Sequence, residues 1–293
     1  IAVLTTPVML DGNAIIVGAS VGITARTPGR RDGAADDLLR EADAAMYAAK
    51  SRGRGQWARF EPEMHERAVA RLRLESDLRA AIEAGGIGVQ YQPIVDLATG
   101  APRGMEALAR WTHATLGPIS PGVFIPVAEE TGLVAALGRL VLDQACAHAA
   151  AWARDAVARG SEPVGLSVNL SAHQLDDVGV VADVARALTT SGLAPELLTL
   201  EITESTLTRD TALARLAELK ELGVRLAVDD FGTGYSSLHY LQRFPIDGLK
   251  VDKSFVDRVA HEEQDAALVR AVIALGDALH LRVVAEGIEL PEQ

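Results

Sequence analysis

Cysteine is nearly missing from this sequence. Cys146, in the alanine-rich segment DQACAHAAAWA, is the only cysteine among 293 residues. A single thiol cannot form a disulfide within one chain, and it cannot supply a thiolate zinc site. We therefore predict that Cys146 is a buried residue of a helix.

Long apolar runs and an excess of basic residues are missing as well. The sequence has no stretch of eighteen uncharged apolar residues and no basic start followed by an apolar core, so it predicts no membrane segment and no signal peptide. We expect a cytoplasmic location, although a longer parent protein could be anchored to a membrane through other parts. The 28 Lys and Arg against 40 Asp and Glu give a net charge of -12, which disfavours binding to long nucleic acid. A small anionic ligand would need a metal ion or a few well-placed basic side chains.

Apolar residues are abundant, at 48% of the chain, which is enough for a sizeable core in one large domain or two smaller ones. Residues 1–60 predict a small, incomplete α/β piece, in which the alternating segment NAIIVGASVGIT is typical of a strand and residues 37–50 carry a helical apolar stripe. Residues 61–85 predict a helix that begins near Pro62 and ends at the glycine pair 85–86. It is either a connecting helix or the first helix of the next domain.

Residues 86–293 alternate short apolar runs with alanine-rich and leucine-rich helical segments, a pattern typical of repeated βα units. The seven runs are GVQYQPIV, RGMEALARW, VGLSVNLS, LLTLEITES, RLAVDDFG, DGLKVDKSF and LRVVAEGIE. They favour an α/β fold of the (β/α)8 TIM-like barrel type with an antiparallel first strand, because the turn DLATGAPRG joins the first two runs. An open Rossmann-like sheet is the alternative.

Polar residues occur near the carboxyl ends of six of these runs. Any single acid there is most often a helix N-cap or a solvated loop residue. Six of them would converge on one face of a barrel, where active sites of this architecture lie, and oxygen ligands of this kind suit Mg²⁺ or Mn²⁺. The seven histidines are scattered and form no H-E-x-x-H arrangement. The six residues are Glu106, Asn169, Glu201, Asp229, Lys250 and Glu286.

The segment LAVDDFGTGYSSL places Asp229 and Asp230 where a strand meets a glycine-rich turn. Successive strand residues point to opposite faces unless the backbone turns between them. If the turn begins at once, both carboxylates could face one centre, and one could bridge two cations about 3.5 to 4 Å apart. The GTG sequence alone is weak evidence for a phosphate cradle, because it lacks the spacing of a dinucleotide fingerprint or a P-loop.

Lys250 separates two mechanisms. A lysine near the end of a barrel strand could form a Schiff base, as in some aldolases, or could stabilise an attacking water and the charge that develops on phosphorus. The surrounding acids favour the second role, since they would keep the ammonium group charged and poorly nucleophilic. In isolation, the residue could also be a surface lysine that closes a strand.

These residues resemble the EAL domain, a family of phosphodiesterases that linearise cyclic di-GMP. The signature is present as Glu106, Ala107 and Leu108, followed by Arg110 and Trp111. Seven further segments are similar to the family and extend the resemblance over about residues 86–293: YQPIVDL, FIPVAEETGL, SVNLSAHQL, LEITES, VDDFGTGYSSL, LKVDKSFV and VVAEGIE.

The resemblance implies metal-assisted hydrolysis of one phosphodiester bond of cyclic di-GMP to pGpG, with one or two Mg²⁺ or Mn²⁺ ions. It assigns the first metal to Glu106, Asn169, Glu201 and Asp229, and the second metal or the attacking water to Asp229, Asp230 and Glu286. It gives Lys250 a contact to that water, and it implies substrate contacts for Arg110, Gln92 and Leu108. Glu204 resembles the glutamate that anchors loop 231–238, a loop tied in the family to metal binding and to homodimer contacts.

Residues 1–60 resemble the end of a GGDEF, or diguanylate cyclase, domain, through VGASVGITA and LLREADAAMYAAKSRGRGQW. The GGDEF signature itself is absent from this sequence, so we expect no cyclase activity from it. The resemblance also implies a last helix and an eighth strand beyond EGIELPEQ, and we therefore expect a barrel that lacks these two elements. A receptor that binds cyclic di-GMP without cutting it is the alternative function, but such a protein would be expected to lack a metal ligand or the lysine.

Overall fold

The computed structural model describes residues 8–10, 13–15, 18–25, 35–51, 53, 55–209, 211–233, 241 and 243–293. The chain divides into two compact units, Ile1–Asp77 and Leu78–Gln293.

The described part of the first unit contains four short strands, one long helix and most of a second helix, which continues beyond Asp77. Strands β1 and β2 are antiparallel, whereas β3 and β4 are parallel. The predicted helix over 37–50 is confirmed as α1, which has Asp36 and Asp37 in its first turn and Lys50 in its last, an arrangement that complements the helix dipole. The elements are β1 (Val8–Leu10), β2 (Asn13–Ile15), β3 (Val21–Ile23), α1 (Ala35–Ser51) and β4 (Trp57–Arg59).

Small side chains let α1 approach the sheet of this unit closely. A Cβ atom built on Gly22 would lie 1.9 Å from the carbonyl oxygen of Ala42, so only glycine fits at that position of β3. The core beside this contact is made of Ala44, Ala45, Ala49, Ala58 and Met64.

The predicted helix from Pro62 to about residue 84 is confirmed as α2 (Pro62–Glu83). Its end has a simple physical cause. Gly85 has a φ of 68°, in the left-handed region that favours glycine, and its N–H group donates to the carbonyl oxygen of Ile82 over 3.1 Å.

The second unit is built on one mixed sheet, and all seven predicted runs form strands in it. Neighbouring strands follow the order β12-β11-β10-β9-β8-β6-β5, and β7 pairs with β6. The pairs from β6 through β12 along this order are parallel, whereas β5 and β6 are antiparallel, as predicted. The strands are β5 (Ile87–Val95), β6 (Pro102–His113), β7 (Gly117–Ile119), β8 (Gly165–Asn169), β9 (Leu198–Thr203), β10 (Arg225–Phe231), β11 (Gly248–Val251) and β12 (Arg282–Ala285).

Among the described residues, helices lie between β6 and β8, β8 and β9, β9 and β10, and β11 and β12, as expected of a βα repeat. The helices are α3 (Pro121–Glu130), α4 (Val134–Ala158), α5 (Ala172–Asp176), α6 (Val180–Ser191), α7 (Ala212–Glu221), α8 (Lys253–Val256) and α9 (Glu263–Leu279), with 3-10 turns at Pro195–Leu197 and Glu204–Thr208. The arrangement is a TIM-like α/β fold. Cys146 is buried within α4, as predicted.

Apolar residues of the central strands β8 to β11 are almost completely buried. Leu198, Leu226 and Leu249 are each 0% exposed. Residues at the amino ends and centres of the strands therefore form the core, and the carboxyl ends are left for polar side chains.

Three sequence predictions need comment. The short strand β7 was not predicted, because three residues after a turn give too little pattern. Residues 234–238 of the predicted loop 231–238 lie outside the described residues. The division into 1–60, 61–85 and 86–293 stays a prediction, since the boundary between the two units falls within α2.

Within the described part of the chain, no helix is both long and apolar enough to cross a membrane.

Candidate functional site

Lys250 lies at the centre of the acidic cluster. It belongs to β11 and is 2% exposed. Its Nζ atom contacts four carboxylates that are far apart in the sequence, so the fold assembles a site that no local motif contains. The distances are 2.7 Å to Oε2 of Glu201, 3.3 Å to Oε2 of Glu106, 3.0 Å to Oδ1 of Asp229 and 2.5 Å to Oε1 of Glu286.

The parallel register explains why these side chains meet. Asn169 of β8 is paired with Glu201 of β9, and Glu201 is paired with Ala227 of β10. Asp229 then lies two residues further along β10, at its carboxyl end. Because parallel strands run in one direction, their polar ends share one edge of the sheet.

Asn169 joins the cluster through Glu106. Its Nδ2 atom donates to Oε1 of Glu106 over 2.9 Å. The same carboxylate reaches Lys250 through its other oxygen. Because Nδ2 donates to Glu106, the amide oxygen of Asn169 is the atom that could act as a metal ligand.

Asp230 has an uncommon backbone conformation. Its φ is 53°, and the pairing of β10 with β11 shifts register between Val228 and Phe231. Aspartate tolerates this left-handed region better than most residues, and such strain is often found at functional sites. The backbone does turn between the two acids, and carboxylate oxygens of Asp229, Asp230 and Glu286 all lie within 4.8 Å of one another.

Burial shifts the pKa values of the central pair. Burial raises the pKa of Glu201 to about 7, against the opposing effect of the Lys250 charge. Burial by itself would lower the pKa of Lys250, but Glu201, Glu106 and Asp229 outweigh it and raise that pKa above the ordinary lysine range. Lys250 therefore carries its positive charge at neutral pH.

Burial and nearby acids also raise the pKa values of Asp230 and Glu286. For Asp230 the causes are burial and the charges of Asp229 and Asp252. For Glu286 burial outweighs its contact with Lys250. A bound cation would relieve this crowding of negative charge, because it favours the ionised form of every nearby carboxylate.

The donor set fits Mg²⁺ or Mn²⁺. Carboxylate and amide oxygens are hard ligands, and cysteine and histidine do not belong to the described cluster. The three oxygens contributed by Asp229, Asp230 and Glu286 are the group best placed to hold one ion.

Glu204 holds the start of the glycine-rich segment. Its side chain is 7% exposed, and its Oε2 atom accepts a hydrogen bond of 2.9 Å from the N–H group of Gly232. Thr233 is tied back to the same turn, since its hydroxyl donates to the carbonyl oxygen of Asp230 over 2.8 Å. Glu204 is thus linked directly to the turn that orients Asp230.

A cavity of about 1030 Å³ opens over the cluster. Its lining includes Glu106, Asp229, Lys250 and Glu286, together with Gln92, which is paired with Glu106 across β5 and β6. The cavity connects the acidic cluster with the surface.

Arg110 and Leu108 lie further along β6 and are not among the described residues that line this cavity. The guanidinium group of Arg110 donates to Oε1 of Gln90 and to the carbonyl oxygen of Ala109, at 2.9 and 3.0 Å. The structure therefore brings Gln92 to the cluster but leaves the predicted substrate contacts of Arg110 and Leu108 untested.

Sequence reasoning missed three charged residues beside the cluster: Asp252, Lys253 and Glu289. Asp252 caps α8 by accepting a 3.0 Å hydrogen bond from the N–H group of Ser254. The Ser254 hydroxyl donates to the same carboxylate, and this bond, together with the one from the N–H group, lowers the pKa of Asp252. The order Asp-Lys-Ser directly after a strand was an N-cap signal in the sequence. An ion pair between Lys253 and Glu289 has no such local signal, because the two residues belong to different connections.

A fold with an acidic cluster at the carboxyl ends of its strands defines a class of barrel enzymes and binding proteins. The EAL domain family model matches residues 75–293 of this sequence. The chain belongs to the EAL domain family.

Two curated relatives and one solved structure are similar to this chain. The bifunctional diguanylate cyclase/cyclic di-GMP phosphodiesterase MucR of Pseudomonas aeruginosa is 43% identical over 293 residues, which is 99% of this chain and 42% of that protein. The cyclic di-GMP phosphodiesterase NbdA of the same organism is 40% identical over 290 residues, which is 98% of this chain and 36% of that protein. The structure of the PaMucR phosphodiesterase in complex with c-di-GMP has a TM-score of 0.70 and 45% identity, and the match covers 75% of this chain and 88% of that one. This chain thus spans less than half the length of these two curated relatives.

Proposed function

We propose that this chain hydrolyses one phosphodiester bond of cyclic di-GMP and releases linear pGpG, with the help of Mg²⁺ or Mn²⁺. The observation that carries the proposal is the convergence of four carboxylates on Lys250, three of which, Glu106, Asp229 and Glu286, also line the large cavity. The chain belongs to the EAL family, and two of its relatives are named as cyclic di-GMP phosphodiesterases, which supports cyclic di-GMP as the substrate.

We propose two overlapping sets of ligands. Glu106, Asn169, Glu201 and Asp229 would hold one ion, and Asp229, Asp230 and Glu286 would hold a second ion or the attacking water. When bound, such ions lower the pKa of a water molecule and neutralise charge that develops on the phosphate. The short distances among the oxygens of Asp229, Asp230 and Glu286 support the second set.

The protein's own groups would position the reactants. The fixed positive charge of Lys250 would orient the attacking water and stabilise the additional negative charge on phosphorus. Asp230 or Glu286, whose carboxylates lie beside that of Asp229, would accept a proton from that water. The water oxygen then bonds to phosphorus as the bond from phosphorus to the 3′ oxygen breaks, and the same carboxylate passes the proton on to the 3′ oxygen.

Substrate contacts would come from Gln92, Leu108 and Arg110. The cavity of about 1030 Å³ lies between β5 and β12, is slightly larger than the usual small-molecule pocket, and reaches the cluster beside Gln92. A guanidinium group such as that of Arg110 suits a phosphate, because it donates two hydrogen bonds in one plane. Binding would require Arg110 to release Gln90.

Two further proposals concern the rest of the molecule. Residues 1–60 would be the end of a diguanylate cyclase domain, an assignment supported by the 43% identity to bifunctional MucR over 99% of this chain. A homodimer would form through the EAL domain, with loop 231–238 near its contacts. Analytical ultracentrifugation with and without cyclic di-GMP and Mn²⁺ tests the dimer, and a single monomeric species in both conditions would exclude it.

The experiment that tests the function is product analysis. Purified chain is incubated with cyclic di-GMP and Mn²⁺, and pGpG is followed by chromatography. We expect product with Mn²⁺ and none in EDTA. Tight binding of cyclic di-GMP without any product would instead establish the receptor, and trapping of a carbonyl substrate by borohydride would establish the aldolase chemistry.

A further inference from the structure

Two lysine–glutamate ion pairs with the same sequence spacing lie beside the cavity. Lys250 and Lys253 are three residues apart, and so are their partners Glu286 and Glu289. Oε1 of Glu286 lies 2.5 Å from the Nζ atom of Lys250, and Oε1 of Glu289 lies 2.6 Å from the Nζ atom of Lys253. The first pair belongs to the acidic cluster, whereas the second pair lies at the cavity mouth and has no role in the chemistry described above.

The side chain of Lys253 also packs directly on Gly287. A Cβ atom built on Gly287 would lie 2.4 Å from Cγ and 2.7 Å from Cδ of Lys253. Gly287 has a φ of 70° and immediately follows Glu286 in the chain. The lysine therefore covers the residue next to Glu286 with its methylene groups and holds Glu289 with its ammonium group.

Other hydrogen bonds tie the same segment down at its two ends. The N–H group of Glu286 donates to the carbonyl oxygen of Val251 over 3.1 Å. At the other end, Nε2 of Gln293 donates to the carbonyl oxygen of Val256 over 3.4 Å, and within the segment its Oε1 accepts from the N–H groups of Glu289 and Leu290, at 2.7 and 2.8 Å. Lys253 is thus the side chain that fixes the middle of segment 286–293.

Glu286 needs such support more than the other cluster acids do. It follows the last residue of β12, and its side chain is 26% exposed, whereas Glu201 lies within β9 and is 2% exposed. The Lys253–Glu289 pair is itself exposed, at 49% and 69%, so its contribution to stability is small. A contact of this kind can still set the direction of a short segment.

We propose that Lys253 is a positioning residue that fixes segment 286–289 and thereby aims the Glu286 carboxylate at Asp229 and Asp230. The inference rests on the proposed function only in taking Glu286 as a cation ligand. Its consequence is that the loss of the Lys253 charge weakens cation binding.

Three variants separate charge from packing. Lys253→Met keeps the methylene groups over Gly287 and removes the charge, whereas Lys253→Arg keeps a charge. The double variant Lys253→Glu with Glu289→Lys reverses the pair. The matched control is Arg186→Met, since Arg186 and Asp143 form a remote ion pair of 2.9 Å with similar exposures of 44% and 43%.

The readout is Mn²⁺ binding to the full chain without substrate, measured from the electron paramagnetic resonance signal of free Mn²⁺, with circular dichroism to establish that each variant is folded. We expect Lys253→Met to bind Mn²⁺ about 10-fold more weakly, and Lys253→Arg and the reversed pair to recover most of the loss. Arg186→Met should bind as the wild type does.

Wild-type Mn²⁺ affinity in folded Lys253→Met would overturn the inference. Unchanged Mn²⁺ affinity with a raised KM for cyclic di-GMP would overturn it too, because it would make Lys253 a substrate contact. A wild-type chain that binds Mn²⁺ and releases no pGpG would contradict the proposed function. It would not contradict this inference, because Mn²⁺ binding is measured without substrate.

Discussion

The Nζ atom of Lys250 lies 2.7 Å from Oε2 of Glu201, and each of these residues is only 2% exposed. Each charge offsets part of the cost of burying the other, and two charges buried in this way are rare outside functional sites. The pair joins β11 to β9 across the floor of the cavity. The same ion pair therefore contributes to the stability of the fold and belongs to the proposed active site.

Replacement of Lys250 by methionine should therefore affect both stability and activity. We expect kcat to fall by about 100-fold to 1000-fold, because a group that stabilises charge in the transition state is lost. We also expect the free energy of unfolding without metal to fall by about 3 kcal/mol, since a buried pair is broken. Product formation and urea unfolding measure the two effects.

Lys220→Met is the matched control for this variant. Lys220 and Asp247 form an ion pair of 2.8 Å at the opposite ends of the strands. Its removal should lower stability and leave kcat near the wild-type value. An equal loss of kcat in both variants would show that Lys250 acts only through folding.

The raised pKa of Glu201 predicts how the stability of the metal-free protein depends on pH. An ordinary glutamate loses its proton near pH 4.5, but Glu201 in the folded state keeps it up to about pH 7. The folded state binds the extra proton in this window, so the contribution of Glu201 to the free energy of unfolding is full below pH 4.5 and is lost as the pH rises towards 7. Urea unfolding in EDTA at several pH values measures the slope, and Glu201→Gln should flatten it. A slope that Glu201→Gln leaves unchanged would assign the effect to other groups.

Asp230 combines a carboxylate with a left-handed backbone, and two substitutions separate these properties. Asp230→Asn keeps a residue that tolerates φ of 53° and should leave stability nearly unchanged, whereas Asp230→Ala adds about 1 kcal/mol of strain. Both variants should weaken Mn²⁺ binding, because asparagine loses the negative charge and alanine loses both oxygens. Calorimetry of Mn²⁺ binding and urea unfolding provide the comparison. If the alanine variant binds Mn²⁺ normally, Asp230 is not a ligand.

The bond from the N–H group of Gly232 to Glu204 should control the turn after β10. Glu204→Ala leaves this donor without its acceptor and should cost about 1 to 3 kcal/mol of stability. Glu204→Gln still offers an acceptor oxygen and should retain more of both stability and activity. The ratio of kcat values for the two variants tests this role, and identical values would contradict it.

Much of the fold could be predicted from the sequence, because its strands are short apolar runs separated by helical patterns. The convergence of the polar residues also followed from their positions at strand ends, since a parallel register brings such ends together. Glu106, Glu201 and Asp229 meet at Lys250 for this reason, and Glu286 joins them directly after the end of β12.

The parts of the site that depend on loops could not be predicted. The Lys253–Glu289 pair joins two connections whose relative position no periodic pattern encodes. Arg110 lies on a strand, but the direction of its long side chain is set by Gln90 on the neighbouring strand. The left-handed turn at Asp230 was expected only as one of two options, because aspartate also occupies ordinary strand conformations.

The central measurement is the fate of cyclic di-GMP incubated with this chain. With Mn²⁺ present we predict that chromatography shows pGpG accumulating at the expense of the cyclic dinucleotide. Glu106→Gln, which keeps the shape of the side chain and removes its charge, should abolish most of this product. Cyclic di-GMP that remains intact with the wild-type chain in both Mn²⁺ and Mg²⁺ would contradict the proposed function.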